Sequence, residues 1–99
     1  MEKFNLLDFL PEGNEHHITS RDLESITNLT GSEIRREVNK LRAEGAPIAS
    51  DKNGYYIATT QEALTATIKN LQSRRDAMNR AIMGLIDAKY KLAFGGEEQ

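Results

Sequence analysis

The sequence predicts a mainly α fold that contains one small β-hairpin and ends in a long C-terminal helix. Three observations indicate this fold. Two segments with helix-start signals follow each other closely between Thr19 and Gly45. Two short apolar segments then flank Asp-Lys-Asn-Gly at residues 51–54, a pattern typical of a hairpin turn. From Gln61 to about Leu92 the chain has no proline and one internal glycine, which favours a single helix.

The composition of the chain restricts the class of protein that it can be. A chain of 99 residues makes one domain, or one small domain with an appended helix. Because it has no cysteine, disulfides, thiolate metal sites and cysteine nucleophiles are excluded, and a reducing compartment fits. No apolar run is long enough to span a bilayer, and the acidic N-terminus lacks the order of a secretory signal. We therefore expect a cytoplasmic protein with no membrane partner.

The formal net charge of −2 is unevenly distributed along the chain. Residues 1–30 carry two basic and six acidic side chains, whereas residues 31–56 and residues 57–99 each carry one more basic than acidic side chain. Any attraction to the phosphates of a nucleic acid must therefore come from a local face of the molecule.

The first third of the chain predicts two short helices. Residues 3–10 form an apolar helix candidate that is stopped by a proline, and residues 11–17 are a polar loop. Thr19 stands three residues before Asp22, a spacing by which side chains cap the free amides of a helix start. The helix that follows ends near Asn28, a residue that tolerates a left-handed turn. One side of it carries Leu23, Ile26 and Thr27.

A second capped helix follows after a very short link. Thr30 and Glu33 repeat the capping pattern, and so short a link forces the two helices to cross steeply, as in a helix-turn-helix. At about 100° per residue, Ile34, Val38 and Leu41 share the face that must point into the core. The opposite face and its flanks carry Ser32, Arg35, Arg36, Asn39, Lys40 and Ala43.

These outward side chains suit DNA. Arginine and asparagine are the side chains best able to bond guanine and adenine edges in a major groove, and basic residues beside them can hold phosphates. The alternative is a solvated polar face. The hairpin adds Lys52 and Asn53 at its tip, where they can touch a phosphate or a minor groove, or can be polar only because turns are polar. A helix followed directly by such a hairpin is the arrangement of a winged helix-turn-helix.

The boundaries of the hairpin follow from turn residues. Gly45 ends the second helix, and strands are predicted at residues 48–50 and 55–58. Asn53-Gly54 favours the turn conformation that hairpins need. Successive tyrosines at residues 55 and 56 face opposite sides of their strand, so we expect one in the core and one partly exposed.

A family resemblance rests on this same segment. The second helix ends in Leu41-Arg42-x-Glu44-Gly45, and the hairpin closes on Gly54-Tyr55. With these features, residues 18–58 resemble the winged-helix domain of the biotin-operon-repressor type, and the entry into the C-terminal helix is similar to that of small phage-encoded winged-helix proteins. The resemblance implies sequence-specific binding of duplex DNA. The reader positions that it implies are Ser32, Arg35, Arg36, Asn39 and Lys40, while Glu33, Glu37 and Asp51 depart from the pattern by placing acid beside them.

The C-terminal helix has the spacing of a coiled coil. Its start is predicted to be capped by Thr59, three residues before Glu62. A helix of this length is roughly 45–50 Å long, more than a small domain can cover, so a second copy of the chain is the simplest partner. Positions spaced alternately by four and three residues are Leu64, Ile68, Leu71, Arg75, Met78, Ile82, Leu85, Lys89 and Leu92. The apolar members up to Leu85 are the predicted dimerisation residues.

An alternative for this helix remains open. Its first part, Leu64 to Leu71, can pack on residues 3–10 while the remainder simply extends. With dimerisation, the chain divides into a winged-helix domain at residues 1–58, a dimerisation helix at residues 59–94 and a disordered tail at residues 95–99.

No catalytic or metal site is predicted. His16 and His17 are adjacent, so their side chains point in different directions, and no third ligand has matching spacing. Serines and threonines occupy caps and turns, where their hydroxyls satisfy backbone amides. We therefore expect a homodimeric DNA-binding regulator, derived from a phage or another mobile element, without enzymatic activity or cofactor. The alternative function is a winged-helix module that binds and inhibits a host protein.

Overall fold

The computed structural model describes residues 5–95. The elements are a 3-10 turn at Leu6–Phe9, α1 at Ser20–Thr27, α2 at Gly31–Ala43, β1 at Ile48–Asp51, β2 at Gly54–Ile57, α3 at Gln61–Tyr90 and a π-helical turn at Lys91–Gly95. The predicted fold, mainly helical with one hairpin and a long C-terminal helix, is confirmed. The chain forms two compact units, residues 1–67 and residues 68–99.

The N-terminal helix candidate at residues 3–10 is reduced to a single 3-10 turn. Asn5 caps this turn, because its side-chain oxygen accepts the Leu7 amide at 3.0 Å. Leu10 is already extended, with φ −96° and ψ 129°. The α conformation is disfavoured for a residue that precedes proline, so Pro11 ends the turn one residue early. Residues 3 and 4 of the predicted helix lie outside the described residues.

The caps of α1 and α2 are confirmed. Thr19 accepts the Asp22 amide at 3.0 Å, and α1 ends at Asn28, which adopts the left-handed conformation with φ 63°. At the start of α2 the Thr30 hydroxyl accepts the Glu33 amide at 3.1 Å, and the Glu33 carboxylate accepts the Thr30 amide at 2.9 Å. Each cap satisfies amides that have no partner inside the helix, so both helix starts are fixed by local sequence.

The main core lies between the N-terminal turn, the two short helices and one side of the hairpin. Its buried members are Leu6, Leu10, Leu23, Ile34, Val38 and Ile48. Leu41, which the helical spacing also turned inward, is half-buried against this cluster. Ile26 shares a side of α1 with Leu23 but is 53% exposed. It lies three residues further along a helix of eight residues and lines an open groove, described below.

The hairpin has a two-residue tip. Its register pairs Ile48 with Ile57 and Asp51 with Gly54, which leaves Lys52 and Asn53 as the loop. Of these four tip residues only Gly54 has a positive φ, +131°, so the left-handed position falls on the glycine and not on Asn53. The Asp51 carboxylate accepts the Asn53 amide at 2.8 Å and so holds the tip from within.

The outer edge of β2 is occupied by the segment that the sequence predicted to be a polar loop. Ile18 and Tyr55 exchange two backbone hydrogen bonds, of 3.0 and 2.8 Å. The Ile57 amide donates to the Pro11 carbonyl at 2.7 Å, and its carbonyl accepts the Gly13 amide at 2.8 Å. Residues 11–18 thus complete the backbone hydrogen bonding of β2 without forming a regular strand.

The outer edge of β1 is satisfied mainly by side chains. The Thr67 hydroxyl accepts the Ser50 amide at 3.1 Å and donates to the Ser50 carbonyl at 3.4 Å. The Arg42 guanidinium donates to the Ile48 carbonyl at 2.9 Å, and the Ile48 amide donates to the Ala46 carbonyl at 2.9 Å. Each outward-facing backbone group of the hairpin at positions 48, 50, 55 and 57 therefore has a partner.

The first turns of α3 cover the other side of the hairpin. Ala49, Tyr56 and Ala58 form a second buried cluster, against which Ala63 and Leu64 pack. Thr67, 5% exposed, reaches the edge of β1 from the same turns. Tyr56 is thus the core tyrosine and Tyr55 the half-buried one, as the alternation of the strand predicted.

The cap of α3 differs from the prediction by one residue. The hydroxyl of Thr60, not that of Thr59, accepts the amide three residues on, at Ala63, with a distance of 3.1 Å. Two consecutive threonines offer the same chemistry, and the helix starts at Gln61, which places Thr60 in the capping position.

The second unit begins at Ile68 and contains most of α3 and the π-helical turn. Gly95, the first residue of the predicted disordered tail, is the last residue of that turn, and residues 96–99 lie outside the described residues. Within residues 5–95 no helix is sufficiently long and apolar to cross a lipid bilayer.

Candidate nucleic-acid interface

The capping box at the start of α2 fixes the position of the Glu33 carboxylate. Glu33 is an acid on the candidate reader helix, but its carboxylate accepts the Thr30 backbone amide at 2.9 Å. The negative charge is therefore held at the helix N-terminus, where it complements the helix dipole. Glu37 is half-buried. The two acids of α2 thus compete less with its basic side chains than the sequence alone suggested.

The two faces of α2 are separated as the helical spacing predicted. Ile34 and Val38 are buried, with 0% and 1% of their surfaces exposed. All five predicted reader residues of the helix are exposed: Ser32, Arg35, Arg36, Asn39 and Lys40. Burial of the apolar stripe orients the helix, so the polar side chains opposite it face solvent as one continuous surface.

Most of these polar side chains are available for a ligand. Arg36, Asn39 and Lys40 make no hydrogen bond or ion pair with any other residue between 5 and 95. Arg35 donates to the Ser32 hydroxyl at 3.3 Å, which holds its guanidinium along the first turn of the helix. This outward face of α2, defined by the five reader residues, is hereafter the reader face.

Arg42 differs from the arginines of the reader face. Its guanidinium donates to the Ile48 carbonyl at 2.9 Å and to the Ser50 hydroxyl at 3.1 Å. These bonds join the end of α2 to β1 and fix the hairpin relative to the helix. Sequence reasoning assigned Arg42 only to a motif, because its partners lie six and eight residues on, beyond the reach of helix periodicity.

The tip of the hairpin presents Lys52 and Asn53. Both are exposed, and the Lys52 ammonium has no partner within residues 5–95. The neighbouring Asp51 carboxylate is already engaged, since one oxygen accepts the Asn53 amide and the other lies 3.1 Å from His17 Nε2. Asp51 therefore stabilises the hairpin tip, and Lys52 and Asn53 remain open to solvent.

His17 is a residue that sequence reasoning missed. Its side chain is only 13% exposed, it contacts the Asp51 carboxylate, and its ring meets Tyr56 edge-on with 4.6 Å between centroids. It thereby attaches the segment before α1 to the tip of the hairpin. No local signal indicated this role, because His17 and Asp51 are 34 positions apart.

An open groove lies between the N-terminal turn, the segment before α1 and α1 itself. It has a volume of about 590 Å³ and includes the exposed apolar side chain of Ile26. Its apolar lining is Phe9, Leu10, Pro11, Ile18 and Ile26, and its acidic side chains are Asp8 and Asp22. Sequence reasoning did not predict this groove, because it forms where the 3-10 turn replaces the expected helix.

The described residues contain no metal-binding group. Nowhere in the described part of the chain do three or more histidine, cysteine, aspartate or glutamate side chains come together in a group that could hold a metal ion. His16 and His17 both line the groove, and His17 also contacts the Asp51 carboxylate.

The predicted dimerisation residues divide between the two units. Leu64 is half-buried against the hairpin and belongs to the first unit. Ile68, Met78, Ile82 and Leu85 belong to the second unit and are between 47% and 70% exposed, while Leu71 is half-buried. The exposed members form an apolar seam along α3.

Two helices joined by a short link and followed by a hairpin define a winged helix-turn-helix protein, a class that binds DNA with its second helix. The sequence comparison agrees: residues 2–56 match the HTH domain family, and the chain belongs to that family. No curated protein and no solved structure matches the chain. Membership of this family supports a function as a DNA-binding regulator, and proteins of the family typically have no enzymatic activity.

Proposed function

We propose that this chain is a winged-helix regulator of the biotin-operon-repressor type, encoded by a phage or another mobile element, that binds duplex DNA as a homodimer. Residues 1–58 read the DNA, and residues 59–94 join two copies. The observation that carries the proposal is the reader face, on which Arg36, Asn39 and Lys40 are exposed and without a partner in residues 5–95. The phage origin rests on the resemblance of the entry into the C-terminal helix.

Each side chain of the interface has a role in this proposal. Arg36 and Asn39 bond base edges in the major groove, where arginine recognises guanine and asparagine recognises adenine. Arg35 and Lys40, at the flanks of the helix, hold phosphates, and Ser32 contacts the backbone near the helix start. Lys52 and Asn53 reach a phosphate or the minor groove from the hairpin tip.

The dimer in this proposal uses the apolar seam of α3. The exposed large side chains at positions 68, 78, 82 and 85 would otherwise remain in water. Burial of apolar surface stabilises association by roughly 25 cal/mol per Å² before the costs of ordering. A twofold dimer of a winged domain selects paired half-sites in DNA.

Replacement of Arg36 by alanine tests the reader face. Specific binding should weaken by about 1–3 kcal/mol, roughly 5- to 150-fold, because a bidentate base contact is lost. Folding should be unchanged, since Arg36 is exposed and has no partner in the described residues. The measurement is a titration with a duplex selected from a random-sequence library by the unmodified chain.

The matched control for this titration is Arg80→Ala. Arg80 is an exposed arginine on α3, in the second unit, and lies outside the reader face. It should leave specific affinity unchanged. Equal affinities for all three proteins would remove Arg36 from the reader set.

The second candidate function, a module that binds and inhibits a host protein, is favoured by the groove. A groove of about 590 Å³ that is lined by both apolar and acidic side chains suits a peptide better than a phosphate backbone. The net charge of −2 also repels DNA, whereas it attracts a basic protein surface.

A salt titration with generic duplex DNA separates the two functions. Each phosphate contact contributes about −0.9 to the slope of log affinity against log salt. A DNA-binding protein should therefore show steep salt dependence, and Lys52→Ala should reduce the slope by about one unit per chain bound. No binding at low salt would contradict the DNA proposal and favour the protein-binding module.

A further inference from the structure

Two basic residues, Arg75 and Lys89, interrupt the apolar seam of α3 at the same position of the heptad. With Ile68 taken as position a of a heptad, the a positions are Ile68, Arg75, Ile82 and Lys89, and the d positions are Leu71, Met78 and Leu85. Positions 68 to 89 all lie within the α-helical part of the second unit. Both charged residues of the seam thus occupy a positions, and no d position of this segment carries a charge.

This placement disfavours a parallel pair of helices. In a parallel coiled coil each a position faces the a position of the other helix. Arg75 would face its own counterpart, and Lys89 would do the same two heptads further on. Each layer would then bury two like charges side by side. No seam position carries an acid, and Asp76, whose exposed carboxylate lies 3.3 Å from the Arg75 guanidinium, is outside the seam at position b.

An antiparallel pair removes this conflict, because its a positions face d positions. One register pairs every seam position from residue 68 to residue 92: Arg75 faces Leu85, Lys89 faces Leu71, and Met78 faces Ile82. Ile68 then faces Leu92, which lies in the π-helical turn. The same contacts recur in reverse on the other side of the twofold axis. Every basic seam residue then lies against a leucine, where its methylene stem can pack while its charged end reaches water.

The twofold centre of this register falls at residue 80. Next to the centre, Ala81 flanks the seam on one side and faces Ala81 of the second copy. Asn79 flanks the seam on the other side and faces Asn79 of the second copy. The small alanine side chains permit a close approach of the two helices. The asparagine side chains carry both donors and acceptors, so each can bond the other across the axis. Both residues are exposed and have no partner within residues 5–95.

We propose that two copies of this chain pair antiparallel through α3, centred at residue 80, with Arg75 of each copy against Leu85 of the other. The second copy is the occupant that fits the seam, because its own charges and apolar side chains are complementary in this register. The inference rests on the proposed dimerisation and adds the direction and register of pairing. Antiparallel pairing separates the starts of the two α3 helices, whereas parallel pairing brings them together.

Cysteine cross-linking tests the direction of pairing without background, because the chain contains no cysteine. Arg75→Cys and Leu85→Cys are prepared separately, and each is oxidised alone and in an equal mixture. In the proposed register each position lies about 15 Å along the axis from its own counterpart, beyond the Cα separation of about 7 Å that a disulfide allows. Covalent dimer should therefore form in the mixture and not in either variant alone.

Two further variants control the experiment. Ala81→Cys leaves the seam intact and should cross-link to itself, because position 81 is one residue from the twofold centre and lies about 3 Å along the axis from its own counterpart. Residue 80 lies at the same level along the helix axis but on the face away from the seam, so Arg80→Cys should not cross-link. Self-linking of Arg75→Cys or Leu85→Cys alone would establish parallel pairing and overturn the inference. A dimer in which neither the mixture nor Ala81→Cys links would overturn the register.

The oligomeric state distinguishes this inference from the proposal on which it rests. Sedimentation equilibrium of the unmodified chain should show a monomer–dimer equilibrium. A chain that stays monomeric at every concentration would refute both the dimer and its direction, and would leave the seam to another partner. A dimer with the parallel cross-linking pattern would refute the direction alone, and the proposed DNA-binding homodimer would stand.

Discussion

Gly54→Ala is expected to destabilise residues 1–67 by several kcal/mol. Gly54 has a φ of +131°, a conformation that residues with a side chain adopt at a cost of roughly 1–3 kcal/mol. An added Cβ would also overlap the carbonyl oxygen of Ile18 and lie 2.7 Å from its carbonyl carbon. Relief of such an overlap costs roughly 1–3 kcal/mol more. It would also strain the two hydrogen bonds between Ile18 and Tyr55.

Gly45→Ala provides the matched control. Gly45 also has a positive φ, +100°, but a Cβ added there meets nothing within 4 Å. Gly45→Ala should therefore lose only the free energy that alanine needs to adopt a positive φ. Urea unfolding followed by tyrosine fluorescence measures both variants, and the difference between them isolates the overlap with residue 18. Equal losses for the two glycines would contradict the close packing of Gly54 against the segment before α1.

Ile34→Ala is expected to lower the free energy of unfolding by about 2–5 kcal/mol. Ile34 is fully buried in the main core, on the inward face of α2 and in the same cluster as Leu23 and Val38. Its truncation removes transfer free energy and leaves a cavity that the neighbouring helix can fill only in part. Because small domains are stable by about 5–15 kcal/mol in total, this is a large fraction.

The matched control is Ile26→Ala, the same substitution on the neighbouring helix. Ile26 is 53% exposed and lines the groove, so its loss should be close to the ±0.5 kcal/mol of a surface substitution. Thermal unfolding followed by far-UV circular dichroism compares the two variants. A cost at Ile26 equal to that at Ile34 would show that the groove is closed by packing in solution.

The local features of the fold could be predicted because their causes are local. The capping residues Thr19 and Thr30, the left-handed Asn28 and the inward stripe of Ile34 and Val38 all act within four residues along the chain. Two errors of this kind occurred: Thr59 was predicted in place of Thr60 as the cap of α3, and the helix predicted at residues 3–10 is only a 3-10 turn. Short-range patterns therefore sufficed for α1, α2, α3 and the hairpin.

The long-range contacts could not be predicted in this way. Thr67 bonds Ser50 from 17 positions away, and His17 reaches Asp51 from 34 positions away. The pairing of residues 11–18 with β2 uses backbone groups, which every residue carries, so no side-chain pattern marks it. These contacts depend on how the elements meet, which is decided by packing.

The candidate interface lies between these two cases. Exposure of Arg36 and Asn39 follows from the burial of the opposite stripe, so helix periodicity predicted it, and the structure confirms that exposure. Contact with DNA stays a prediction for each of these residues. The fixed position of the hairpin tip depends on Arg42 and His17, whose partners are distant in sequence, and so it could not be derived from the pattern alone.

The outward backbone groups of the hairpin at positions 48, 50, 55 and 57 all have hydrogen-bond partners, and this limits how another molecule can bind the hairpin. A two-stranded ribbon normally offers lateral main-chain groups that template an incoming extended peptide or seed fibril growth. Here the Thr67 hydroxyl, the Arg42 guanidinium and the segment before α1 occupy those docking points. In the native state the hairpin must therefore recognise a ligand through the hairpin's own side chains, chiefly those at the tip. The same hydrogen bonds also protect the protein against strand exchange between molecules.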